Sequence, residues 1–195
     1  MKIITWNIQW GLGLDGRVDL RRIVEEARAI ADFDVLCLQE VSDNFADLKG
    51  NGGENQFAAI AALLPGYTAV DGIAVDIADG RGGRSRFGNM ILSRLPVGPV
   101  LRYTLPWEAD ATPNMPRLLI EAVVEAPFGP VRVMTTHLEY SSDKLRRAQV
   151  EGIRDAHRSA CDRVLHPRSQ APGPFRADAT GPAGGALRRF QHAAG

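Results

Sequence analysis

Three polar side chains stand where apolar runs end. Asn7 follows Ile3-Ile4-Thr5-Trp6, Glu40 follows Val35-Leu36-Cys37-Leu38-Gln39, and His137 follows Val131-Arg132-Val133-Met134-Thr135-Thr136. Each run reads as a buried strand, so each polar residue falls just past a strand's C-terminal end. Rigid scaffolds hold catalytic groups at such junctions. An amide, a carboxylate and an imidazole converging there suit a hard metal ion acting on a phosphoester. Each residue also has an ordinary reading. Glu40 can simply meet solvent, although a carboxylate buried there without a partner costs several kcal/mol, which a Mg2+ ion would offset. Asn7 can close an Asx-turn or cap a helix. His137 can be a surface or hydrogen-bonded structural residue, while its ordinary pKa of about 6.5 also suits proton transfer or phosphate contact at neutral pH.

A second group of candidates is basic. Gly80-Arg81-Gly82-Gly83-Arg84-Ser85-Arg86 is a loop whose arginines and backbone amides can receive phosphate, or can simply be a solvated charged loop. It lacks the lysine of a nucleotide-binding P-loop. Arg84 and Arg86 are the substrate-side candidates. No serine nucleophile elbow and no Cys/His spacing for zinc occur, which disfavours acyl hydrolysis and a zinc centre.

The elements that must position these residues follow from pattern. Lys2 to Trp6 is a short strand and Leu12-Gly13-Leu14-Asp15-Gly16 a turn. Asp19 caps a helix whose Leu20, Ile23, Val24, Ala27 and Ile30 share a face. Val35 to Leu38 is a fully buried strand. Asn55 caps a second helix carrying Phe57, Ile60, Ala61 and Leu64, stopped by Pro65-Gly66. Tyr67 to Ala78 and Asn89 to Ser93 read as strands around the Gly/Arg loop. Leu118, Ile120, Ala122 and Val124 alternate in a strand whose other face carries Glu121 and Glu125. Pro127-Phe128-Gly129-Pro130 turns it into Val131 to Thr136. Lys144 to about Val164 is a helix, with Val150, Ile153, His157, Cys161 and Val164 at helical spacing. The domain is expected over residues 1–165. Residues 166–195, rich in Pro, Gly, Ala and Ser to Gly185 and without periodicity, read as a linker-like tail.

Composition sets outer bounds. At 195 residues with 45% hydrophobic and 24% charged, one globular domain is the default. Lys+Arg and Asp+Glu both total 23, which removes the global basic field of a strong non-specific DNA binder and leaves room for a local basic patch. Cys37 and Cys161 are too few for a disulfide framework, and Cys37 reads as a core residue. No signal peptide and no membrane segment are recognised, so the cytoplasm is the default compartment. The oligomeric state is left open.

The Trp6-Asn7, Gln39-Glu40 and Thr136-His137-Leu138 motifs, in this order and spacing, resemble the endonuclease/exonuclease/phosphatase superfamily, the metal-dependent phosphoesterases that include pancreatic deoxyribonuclease. The resemblance covers residues 1 to about 160. It implies a four-layer α/β-β/α sandwich and hydrolysis of a phosphoester with Mg2+ or Mn2+. It implies Glu40 as metal ligand with Asn7 beside the metal, the two forming a weak site, and His137 on the scissile phosphate. Asn89, in Phe87-Gly88-Asn89-Met90-Ile91-Leu92-Ser93, is similar to a family strand and takes a substrate-side or site-supporting role. Arg147 and Gln149 match a family helix only loosely and read as structural. The implied partner is a phosphoester substrate, nucleic acid being one class beside sphingomyelin and inositol phosphates.

The family's later Gly-Asp-x-Asn and Ser-Asp-His motifs do not occur in this chain. Leu187 to Ala194 can be encoded so that a one-base shift reads Cys-Gly-Asp-Phe-Asn-Met-Arg-Pro, and this is read as a frameshift between about Arg168 and Leu187. On that reading the C-terminal half is incomplete, and the chain itself is an inactive fragment with at most weak metal or phosphate binding. The inner face of its sheet is then expected to be exposed, making the chain marginally soluble, oligomeric or aggregation-prone.

Overall fold

The structure is a computed structural model describing residues 1–108 and 114–165. The tail and the proposed shift of frame lie outside the described residues, as does the side chain of Val164. In chain order the elements are β1 (Ile3–Asn7), α1 (Leu20–Ile30), β2 (Val35–Asp43), α2 (Gln56–Leu63), β3 (Thr68–Ala78), β4 (Arg84–Ser93), β5 (Val97–Thr104), β6 (Leu118–Ala126), β7 (Gly129–Thr135) and α3 (Asp143–Leu165). A four-stranded sheet, β1-β2-β4-β3, faces a three-stranded one, β5-β6-β7. β1 and β2 are parallel through the α1 crossover, and the remaining pairs are antiparallel.

Local chemistry sets the helix starts. Asp19 accepts the Arg22 backbone N–H and Asn55 accepts that of Ala58, both at 3.0 Å. Alternation then divides each strand between two cores. Leu36, Leu38 and Val41 of β2 pack with Leu20, Ile23, Val24 and Ala27 of α1 and Ile60 of α2. Val35 and Cys37 point the other way and meet Leu118, Ile120, Ala122 and Val124 of β6 and Val133 of β7. Burial pushes the Cys37 thiol up to about 12, as befits a core residue. α3 covers the outer face of the second sheet through Ala156 against Leu105 and Leu119. The four layers are therefore helices, sheet, sheet, helix.

Three expectations are corrected. Val35, Cys37, Val70 and Ile91, on the inner face of the first sheet, are all buried beneath β6 and β7. Exposure on this face lies toward the sheet's edge strands, as at Ile3 of β1, which pairs with Val35 and is 47% exposed. On α3 the buried side is Leu145, Gln149, Ala156 and Ala160, whereas Val150 is exposed. Ile153 packs against the core as its spacing predicts, but the rest of the face lies one position earlier, because a glutamine and alanines carry it instead of large apolar residues. On α1, Ile30 is exposed in the last turn. The strand β5 had no sequence signal, since Gly98 and Pro99 interrupt it and none of its residues is buried, as suits an edge strand.

One glycine sets the sheet spacing. A Cβ on Gly72 of β3 would lie 2.4 Å from the Ile120 side chain of β6, so only glycine allows this approach.

Candidate functional site

The site begins with an irregularity in β2. Strict alternation would send residue 40 into the helix-facing core with Leu36 and Leu38. Instead a β-bulge lies between Gln39, which pairs with Asn89, and Val41, which pairs with Gly88. Val41 takes the helix-facing slot, and Glu40 is the extra residue, in the left-handed region at φ 62°. The bulge turns the Glu40 carboxylate off the strand and toward β1. There Asn7 Nδ2 donates to Glu40 Oε1 at 2.9 Å, while Asn7 Oδ1 accepts the Gln9 N–H at 3.0 Å. Asn7 thus closes an Asx-turn and orients the carboxylate with the same amide. The loop it opens continues through two more left-handed residues, Gln9 and Trp10.

His137 arrives from the other sheet. β7 belongs to the facing sheet, and Gln39 Nε2 donates to Thr135 Oγ1 at 2.9 Å, tying the two sheets together just beneath the site. The chain then leaves β7, and His137 Nδ1 comes within 3.6 Å of Glu40 Oε1. Asn7, Glu40 and His137 therefore meet.

Arg117 and Glu139, which carried no assigned role in the sequence reading, complete the group. Arg117 stands just before β6 and is buried, with Nη1 2.9 Å from His137 Nδ1 and Nη2 3.2 Å from Glu139 Oε2. Burial would raise the Glu139 carboxyl, but the Ser141 hydroxyl and backbone N–H, with Arg117, outweigh it and hold the pKa at about 2. His137 is lowered, first by burial and then by Arg117, against the opposing pull of Glu40 and Glu139. Gln149 Oε1 accepts the Glu139 N–H, so this helix glutamine is structural, as expected. The signal that could have found Arg117 is a lone cation bordering a strongly apolar strand, where a charge needs a buried partner.

Of the remaining candidates, Asn89 stands beside this group, whereas Arg84 and Arg86 pair with aspartates elsewhere. Asn89 is buried and donates to the Leu118 carbonyl at 3.0 Å; Thr136 Oγ1 donates to the same oxygen at 2.9 Å. Asn89 thus supports the start of β6, next to Arg117. Arg84 pairs with Asp76, and Arg86 with Asp43 and Asp76. The Gly/Arg loop folds back on Asp79, whose carboxylate accepts the Arg81 and Gly83 N–H groups at 2.8 Å. A cleft of about 340 Å³ opens beside Glu40, Arg117 and His137, with Trp10, Phe87, Met115 and Tyr140 on its apolar walls.

The donor set bears on the metal that the fold implies. Among the described residues no group of three or more His, Cys, Asp or Glu is arranged to hold an ion. Glu40 offers one oriented carboxylate beside an amide. That fits a lightly held hard cation such as Mg2+, which takes one or two protein carboxylates and keeps its waters. It does not fit a closed zinc-type cage.

The sequence model of the Endonuclease/Exonuclease/phosphatase family matches residues 4–180. The chain belongs to that family. An endonuclease/exonuclease/phosphatase family protein from Leptotrichia buccalis is similar in structure, with a TM-score of 0.56 and 14% identity over 80% of this chain and 62% of that one. A mannosyl-6-phosphatase from Bacteroides thetaiotaomicron gives 0.56 and 15% over 80% and 58%. Truncated TDP2 from Caenorhabditis elegans gives 0.55 and 19% over 85% and 57%. At these identities the likeness concerns the fold. The chain spans about three-fifths of the length of these structures. No curated protein matches it. Among the described residues no helix is long and apolar enough to cross a membrane.

Proposed function

We propose that this site serves Mg2+- or Mn2+-dependent hydrolysis of a phosphoester, of the phosphodiesterase or nuclease kind. The observation that carries the reading is the meeting of Asn7 at the end of β1, Glu40 at the β2 bulge and His137 just past β7, in a chain of the endonuclease/exonuclease/phosphatase family. Glu40 holds the divalent ion, with the Asn7 amide fixing the carboxylate's direction. When bound, such an ion neutralises phosphate charge and stabilises the leaving oxyanion. His137 faces a phosphate oxygen from the opposite sheet. The buried Arg117 charge adds to the positive field of the cleft. A phosphoester with an apolar or aromatic flanking group suits the walls formed by Trp10 and Tyr140. Nucleic acid is one such substrate.

The single carboxylate favours a second reading, in which the described site binds metal or phosphate without turnover. Hydrolysis of bis(p-nitrophenyl) phosphate separates the two. The first expects turnover that needs Mg2+ or Mn2+ and falls about a hundredfold or more in Glu40→Ala and His137→Ala. Metal binding by calorimetry with no metal-dependent turnover selects the second.

A further inference from the structure

Arg117 is 4% exposed and Glu139 beside it 1% exposed, so the guanidinium has almost no freedom to turn. Its carboxylate partner is itself fixed. Ser141 donates to Glu139 from both backbone and hydroxyl, at 2.9 and 2.6 Å, and Gln149 accepts the Glu139 N–H at 2.8 Å. From this anchored position Arg117 Nη1 sits 2.9 Å from His137 Nδ1. A guanidinium carries only donors and keeps its charge in proteins. The contact therefore has one possible polarity: Nη1–H donates and the Nδ1 lone pair accepts. A hydrogen on Nδ1 would collide with that of Nη1. Its alternative acceptor, Glu40 Oε1, is 3.6 Å away, beyond hydrogen-bond length.

We infer that Arg117 is a positioning residue that holds His137 as the Nε2–H tautomer, so the ring presents a hydrogen-bond donor to the cleft. The consequence rests on the reading that phosphate occupies the cleft. His137 then gives an N–H to a phosphate oxygen, and its Nε2 has no lone pair with which to take a proton from water. Activation of the attacking water falls to another group.

The test is nitrogen-15 NMR of the histidine rings at about pH 8, above the ordinary imidazole pKa, where the ring is neutral. His137 is one of four histidines, and His137→Gln identifies its signals. The wild type is expected to show a pyridine-type Nδ1 and a pyrrole-type Nε2, with no tautomer mixing. The double variant Arg117→Met/Glu139→Gln removes both charges together, so no lone charge is left buried. There the two ring nitrogens are expected to move toward each other as the tautomers mix, while the amide spectrum stays dispersed. A pyrrole-type Nδ1 or a mixture in the wild type overturns the inference even if the variant does not fold. An unchanged ring signature in a folded double variant overturns the role of Arg117. Inorganic phosphate added with Mg2+ should shift the Nε2–H proton. An unmoved proton with the tautomer intact counts against phosphate in the cleft and leaves the assignment of Arg117 standing.

Discussion

Glu40 occupies a left-handed backbone conformation, at φ 62° in the β2 bulge. For a residue with a Cβ this costs about 1–2 kcal/mol, whereas glycine adopts it freely and gives back roughly 0.5–1 kcal/mol in unfolded-state entropy. Glu40→Ala and Glu40→Gly both lose the carboxylate and both leave Asn7 Nδ2 without its acceptor, so those losses cancel in the comparison. What differs is the backbone. Glu40→Gly should therefore be more stable than Glu40→Ala by about 0.5–1 kcal/mol, or a few degrees in Tm for a chain of this size. Urea and thermal unfolding of the two variants measure it. Calorimetric titration with Mn2+ should show binding lost in both. A glycine variant no more stable than the alanine variant would refute the claim that the site stores backbone strain.

The remaining predictions concern charge, spacing and metal. The Glu139 carboxyl is held at about 2 against an ordinary 4.5, so its contribution is fully present above about 4.5 and is lost as the pH falls toward 2. The span corresponds to about 3 kcal/mol, and urea midpoints should fall less steeply across that window in Glu139→Gln than in wild type. A Cβ on Gly88 would lie 2.0 Å from the Gly72 carbonyl oxygen, so Gly88→Ala should destabilise by about 3 kcal/mol or more, read from the urea midpoint. Wild type should bind Mn2+ weakly and Glu40→Ala not at all; equal binding by both would remove Glu40 as a ligand.

Asn7 and His137 were legible because each closes an apolar run at a strand end; Glu40 closes one inside β2, which runs on to Asp43, and reaches the site only through the bulge. The helix caps at Asp19 and Asn55 were legible because the capping oxygen acts locally. What escaped depended on partners far along the chain. Asn7 to Glu40 spans 33 positions, and only the bulge, which has no composition signal, makes them meet. Glu121 read as one face of a strand, but α3 covers it and Tyr103, Arg132 and Arg163 pair with it. Arg84 and Arg86 read as phosphate candidates because sequence displays their charge and conceals Asp43 and Asp76 across the strands. Among the described residues both sheets and both helix layers are present, as the four-layer sandwich implied by the resemblance requires, and the inner face expected to be exposed is covered.

Asn7 and Glu40 ride on one sheet, and His137 rides on the loop leaving the other. Their mutual distances therefore report how the sheets are stacked. Misplacement by about 1 Å is enough to cost a chemical step about a hundredfold. The stacking is seated by Ile120 against Gly72 and laced by Gln39 to Thr135. Slippage along this seam would disperse the three residues while every strand kept its hydrogen-bonded neighbours. Heat or hydrostatic pressure should accordingly silence the site before circular dichroism registers any loss of secondary structure. A conservative trim outside the cleft lining, such as Ile120→Val, should act as a dial on the site through the seam.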